Sequence, residues 1–173
     1  MTRLVPLAEH NSKPLIALLM VMLLLVASGC GFKLRGLYDI PAGLSRVDIV
    51  SNQPNSELVR TLEQALRANG VTVENQALYR IEIVEETMTR RTLSLDSSAR
   101  ASEYEIRGEV TFQVMDAEGN LVLTPRSLMS ERSYNVDSSN ITASESQEPI
   151  LRQQIRQDLA QQIMRQYIRI QLP

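Results

Sequence analysis

Histidine, cysteine, lysine and tryptophan are scarce or missing in this chain, and each scarcity closes off a class of chemistry. Among 173 residues there is one histidine, His10, one cysteine, Cys30, and no tryptophan. His10 lies in an N-terminal stretch that reads as a leader, and Cys30 stands where that stretch ends. Beyond it, no Ser-His-Asp triad, Cys-His pair or zinc site of nitrogen and sulfur ligands can be assembled. Of two lysines, Lys13 belongs to the leader, so a Ser-Lys dyad would have to use Lys33, three residues past Cys30. No Gly-x-Gly-x-x-Gly, Walker or Asp-x-Asp-x-Asp-Gly sequence occurs. Aromatic residues make up 4% of the chain, which disfavours a base-stacking platform. What remains for catalysis is a carboxylate pair of glycosidase type, and the acidic residues alternate along strands in the manner of solvated faces. The expectation is a protein that is not an enzyme, needs no metal or cofactor, and binds no nucleic acid.

What is present begins with an uncharged apolar run, residues 15–27, behind Lys13-Pro14 and ahead of Ser28-Gly29-Cys30-Gly31-Phe32. Thirteen residues are too few to cross hydrocarbon about 30 Å thick, which takes roughly 20 in a helix. A positive flank, a short apolar core and small residues at the close make a signal peptide. The junction resembles a bacterial lipobox, with Ala27 where leucine is usual, and implies that Cys30 becomes an acylated N-terminus. Two or three acyl chains hold a protein to a bilayer stably, since each buried methylene contributes about 0.8 kcal/mol. Gly31 rather than aspartate after the cysteine favours the outer membrane, by similarity to other bacterial lipoproteins. The expected organisation is a signal peptide over 1–29, an acylated connector over 30–43, and one domain over 44–173.

Cleavage leaves 144 residues, enough for a single sound core. With Arg3, Lys13 and Glu9 removed, 16 cationic side chains face 19 anionic ones, a net charge of −3. Fifteen of the 16 cations are arginine, a bias that a GC-rich genome and a phosphorylated ligand would each produce.

Arg46-Val47-Asp48-Ile49-Val50 alternates as a strand, and a polar loop with good capping residues follows. Leu58, Leu62 and Leu66, with Val59 and Ala65, form a helical stripe that Asn69-Gly70 stops. A strand, helix and strand in succession predict a crossover between parallel strands. Val71-Thr72-Val73 has the composition to begin a strand, but the stronger one starts at Tyr79 and extends through the threonine-rich 87–95. After a turn at 96–100, Tyr104, Ile106, Gly108, Val110, Phe112 and Val114 fall on one face of a strand. Glu103, Glu105, Arg107, Glu109, Thr111 and Gln113 fall on the other, so one face is buried and one wet. A turn at 116–120 leads to a further strand from Leu121 to about Val136, in which Pro125 requires an edge or a bulge. A polar loop is expected over 137–146, then a helix with a Ser144/Gln147 capping box and Pro149 in its first turn. Leu151, Ile155, Leu159, Ile163 and Tyr167 give that helix its apolar stripe, to about Arg169. The predicted class is α+β: a two-layer α/β sandwich, two helices packed on one face of a mixed four-stranded β-sheet.

Several short sequences recur in an order that resembles a known family. They are Cys30-Gly31-Phe32-Lys33-Leu34-Arg35-Gly36, Ala101-Ser102-Glu103-Tyr104-Glu105-Ile106, Val110-x-Phe112-x-Val114, residues 116–119, Arg132-x-Tyr134-x-x-Asp137, and Glu145 before the last helix. Together they are similar to the lipopolysaccharide-assembly lipoproteins of the LptE family. The resemblance implies an outer-membrane lipoprotein that plugs the large β-barrel LptD one to one, helps it assemble, and binds lipopolysaccharide. A barrel lumen is polar, so the face carrying Glu103, Glu105, Arg107 and Glu109 is the candidate barrel contact, and an ordinary solvated face is the other reading. The family's basic lipopolysaccharide contacts correspond here to Arg90, Arg91 and Arg100, with exposed strand arginines as the alternative. A second basic position falls near Thr142, where a lysine would be expected. Tyr104 and Phe112 share the buried face with Val110 and Val114 and are read as core. The rival function is a non-catalytic adaptor lipoprotein of another envelope-assembly pathway.

Overall fold

Ser56 starts the first helix by accepting the Val59 N–H on its hydroxyl at 3.1 Å. A computed structural model describes residues 40–136 and 141–171, the side chains of 141–145 excepted. Helix α1, Glu57–Ala68, buries Leu58, Val59, Leu62, Ala65 and Leu66, the stripe its spacing predicts. It ends in a Schellman arrangement: Val71 N–H bonds the Leu66 carbonyl at 3.0 Å and Gly70 N–H that of Arg67 at 3.1 Å. Gly70 takes the left-handed conformation this requires, φ +87°.

Strand β1, Arg46–Ser51, precedes α1, and β2, Thr72–Val73, follows it and pairs with β1 in parallel. On its other side β1 pairs in parallel with β3, Tyr79–Leu95, matching Asp48 to Arg80 and Ile49 to Ile81. Strands β3, β4 (Ala101–Asp116) and β5 (Leu121–Asn135) form an antiparallel meander. The sheet therefore has five strands, in the order β2-β1-β3-β4-β5, rather than the predicted four. The fifth strand falls within the strand-like Val71-Thr72-Val73, and at two residues it is too short for periodicity to decide. Pro125 lies where the β4–β5 register slips, between the Phe112–Arg126 and Val114–Leu123 pairs, on an edge strand. That meets its missing N–H.

Helix α2, Ile141–Tyr167, begins earlier than expected. Its backbone is helical across 141–146, so Ser144 does not start it and Pro149 lies inside it. The first two turns carry no apolar stripe, and spacing alone reads such a stretch as loop. Further on, Ile155, Leu159, Ala160, Ile163, Met164 and Tyr167 are buried against the sheet. The Tyr167 hydroxyl lies 3.1 Å from both the Leu44 and Arg46 carbonyls, fastening the end of α2 to the start of β1. Burial raises the Tyr167 phenol's pKa well above its ordinary value, so it stays a donor. Gly108 lets α2 close on β4: a Cβ there would stand 2.5 Å from Ile155 Cγ2 and 3.2 Å from Leu159 Cδ1. Both helices cover the same face of the sheet, around Phe112, Ile106, Val110, Ile81 and Leu62. The opposite face carries no layer among the described residues.

Candidate functional site

The uncovered face of the sheet is a ladder of cross-strand rows running through β3, β4 and β5. Arg91, Glu105 and Ser133 form one row, then Thr89, Arg107 and Glu131, then Thr87, Glu109 and Met129, then Glu85, Thr111 and Ser127. The row order follows from a β-bulge that the sequence does not announce. Ile83 pairs with Phe112 and Glu85 with Thr111, so Val84 is an extra residue and the strand's parity inverts there. Before the bulge Ile81 and Ile83 face the core; after it Met88 and Arg90 do, and Arg91 turns to the open face. Glu86 also turns inward, leaving its Oε2 buried with no hydrogen-bond partner among the described residues.

Glu103, Glu105, Arg107 and Glu109 therefore do share one face, as their spacing predicts. They are not equally wet. Glu105 is 8% exposed, because the Arg91 guanidinium lies over it and bonds Oε1 from Nε at 2.6 Å. That bond holds the Glu105 carboxyl below its ordinary range against the desolvation that opposes it, with Arg91 and Arg107 charges adding. Arg107 Nε is 2.6 Å from Glu109 Oε1, yet the angle is poor for a hydrogen bond and Nε itself is buried. Thr111 and Ser127 hydroxyls meet at 2.9 Å, and Gln113 donates to Glu82 at 2.6 Å. This face is charged, cross-linked by polar contacts, and open.

The three arginines are not brought together. Arg91 belongs to the ladder just described. Arg100 closes the β3–β4 turn, its backbone and guanidinium both donating to Asp96, whose carboxyl is thereby held below its ordinary range. Arg90 points to the helix side. Its Nη1 donates to Glu148 Oε2 of α2 at 2.8 Å, and its Cζ sits 4.6 Å from the centre of the Tyr104 ring. Tyr104 is thus only half-buried and stacks at 5.8 Å against Tyr134, whereas Phe112 is fully buried.

Glu148 is the residue that sequence reasoning missed. It also accepts the Tyr134 hydroxyl at 3.0 Å and both Arg152 Nε at 2.8 Å and Nη2 at 2.6 Å. Burial opposes its ionisation, but the bonds from Arg152, Arg90 and Tyr134 outweigh it and lower its pKa. Only its four-residue spacing from Arg152 was visible beforehand. Asp158 plays a similar part lower on α2, taking Arg132 and the Ser130 hydroxyl. Cys30 and the side chain of Thr142 lie outside what the structure describes. No group of three or more potential metal ligands exists among the described residues. No described helix is long and apolar enough to cross a membrane. What the described surface offers is charge and hydrogen-bonding groups.

Residues 44–167 match the family model described as lipopolysaccharide-assembly, LptE. The chain belongs to the LptE family. It is 27% identical over 159 residues to the LPS-assembly lipoprotein LptE of Photorhabdus laumondii, covering 90% of this chain and 86% of that one. To its namesake in Yersinia pestis it is 28% identical over 160 residues, covering 90% and 76%. Among solved structures, a minor lipoprotein from Acinetobacter baumannii superposes with TM-score 0.62 at 32% identity, over 72% of this chain and 90% of the other. Lipoprotein B from Nitrosomonas europaea gives TM-score 0.66 at 26% identity, over 80% and 90%. The sandwich of two helices on a mixed open sheet is thus shared with lipoproteins of this kind, and this LptE-family chain is an envelope lipoprotein of lipopolysaccharide assembly.

Proposed function

We propose that the protein is held in the outer membrane by acyl chains on Cys30 and seated in the lumen of the LptD barrel, where it supports barrel assembly and binds lipopolysaccharide. Its role is to hold other molecules rather than to turn over a substrate. The observation that carries this reading is the sheet itself: five strands covered by helices on one side and, among the described residues, bare on the other. The bare side presents the polar ladder from Arg91 and Glu105 down to Thr111 and Ser127. A surface made for a polar lumen carries charge and hydroxyls, where a surface made for another helix would be apolar. The domain organisation of a signal peptide over 1–29, an acylated connector over 30–43 and the sandwich beyond belongs to the same proposal. Arg90, Arg91 and Arg100 are the candidates for lipopolysaccharide phosphate, which would have to compete with Glu148, Glu105 and Asp96 respectively.

Mild-detergent extraction followed by affinity purification tests this directly. A large outer-membrane barrel should co-purify with the wild-type protein in a one-to-one ratio. Cys30→Ala should leave a folded domain that loses membrane attachment wherever the barrel is absent. A protein recovered with no barrel but with components of a different envelope pathway would favour the adaptor role instead.

A further inference from the structure

We propose that the groove between α1 and α2 is an anion site whose ligand is a phosphate monoester. It is distinct from the sheet face and does not depend on the barrel reading. The groove is open to solvent, with a volume of about 640 Å³, and is lined by Arg60 and Glu57 from α1 with Glu148, Arg152 and Arg156 from α2. Arg152 and Arg156 are four residues apart, so one face of α2 points both guanidiniums at α1.

The charges in and beside the groove do not balance. Glu57 is 2.5 Å from Arg156 through one carboxylate oxygen and 4.0 Å from Arg60 through the other. Glu148 gives one oxygen to Arg152 and the other to Arg90 and Tyr134. Among the described groove residues three guanidiniums, Arg60, Arg152 and Arg156, share two carboxylates; with Glu57 turned out, three face Glu148 alone, an excess of two positive charges that a phosphate monoester dianion would neutralise. Arginine forks suit its oxygens better than a point charge would.

The two carboxylates differ in how firmly they are placed. The Glu148 side chain is 18% exposed and held by three residues, Arg152, Arg90 and Tyr134. The Glu57 side chain is 57% exposed, in the first turn of α1, and held only by groove arginines. Glu57 therefore occupies the position an incoming phosphate would take, next to the positive end of the α1 dipole, and can rotate out to solvent. The empty site is closed by its own carboxylate; the loaded site exchanges that carboxylate for the ligand.

A reversed sign between two substitutions makes the test specific. The full chain in detergent is titrated calorimetrically with inorganic phosphate, with intact lipopolysaccharide micelles, and with enzymatically dephosphorylated micelles. Glu57→Gln should tighten phosphate or lipopolysaccharide binding by about three- to tenfold, since it removes a competitor but keeps the size. Arg60→Gln with Arg156→Gln should weaken it by about tenfold or more, with thermal melts confirming the fold. Tighter binding of intact micelles than of inorganic phosphate would identify a lipid headgroup as the source, and equal affinity would identify free phosphate; both support the site. Unchanged or weaker binding in Glu57→Gln, undiminished binding in the double variant, or equal binding of dephosphorylated micelles would overturn it.

Discussion

The two faces of β4 come from one sixteen-residue strand, yet they behave as different materials. Facing the helices, Ile106, Gly108, Val110, Phe112 and Val114 are closed off from water in the core, Gly108 directly against α2. Facing out, Arg107, Glu109, Thr111 and Gln113 meet mostly polar neighbours from β3 and β5, Met129 opposite Glu109 excepted. The first face decides whether the chain folds. Its counterpart contributes little to stability, because exposed ion pairs are weak and salt-screened, and its composition is therefore open to selection by a partner.

Substitutions along the strand break this contrast in graded fashion. Phe112→Ala opens a cavity in the fully buried layer and should lower unfolding free energy by about 3–5 kcal/mol in denaturant titration. Gly108→Ala overpacks the β4–α2 contact, where Ile155 Cγ2 leaves no room, and should cost about 1–3 kcal/mol. Glu148→Gln sits between the regimes, being partly covered and multiply bonded, and should cost about 1 kcal/mol at neutral pH. Its pH dependence has a defined sign. The folded-state pKa is depressed, so the contribution is complete above an unfolded value of about 4.3 and fades as pH falls through the folded one. Melts of wild type and variant should therefore converge in acid. Glu109→Gln, on the open face, should change stability by no more than about 0.5 kcal/mol.

Much of this division was legible in the sequence, and the misses share a cause. The twelve-residue alternation from Glu103 to Val114 placed both faces of β4, and the leucine stripe placed α1. The bulge at Val84 was not legible, because Val84-Glu85-Glu86 contains no glycine or proline to mark a slip. Neighbours in a strand, Arg90 and Arg91 take opposite faces either way; the bulge decides that Arg90 turns to the helices and Arg91 to the open side. The start of α2 was missed because its early turns have no apolar repeat. Glu148 pairs with Arg90 from 58 residues away, a contact that only the closed sandwich creates. Local periodicity reported what each strand does with water. It could not report which charged groups distant segments bring together.

On the proposed plug role, the open sheet face is where the protein would meet a barrel. Photo-crosslinking in intact cells tests it, with a crosslinking residue placed in turn at Arg107, at Glu109 and, on the helix layer, at Gln153. The account predicts adducts to a large outer-membrane barrel from positions 107 and 109. Barrel adducts from position 153 with none from the sheet would contradict it.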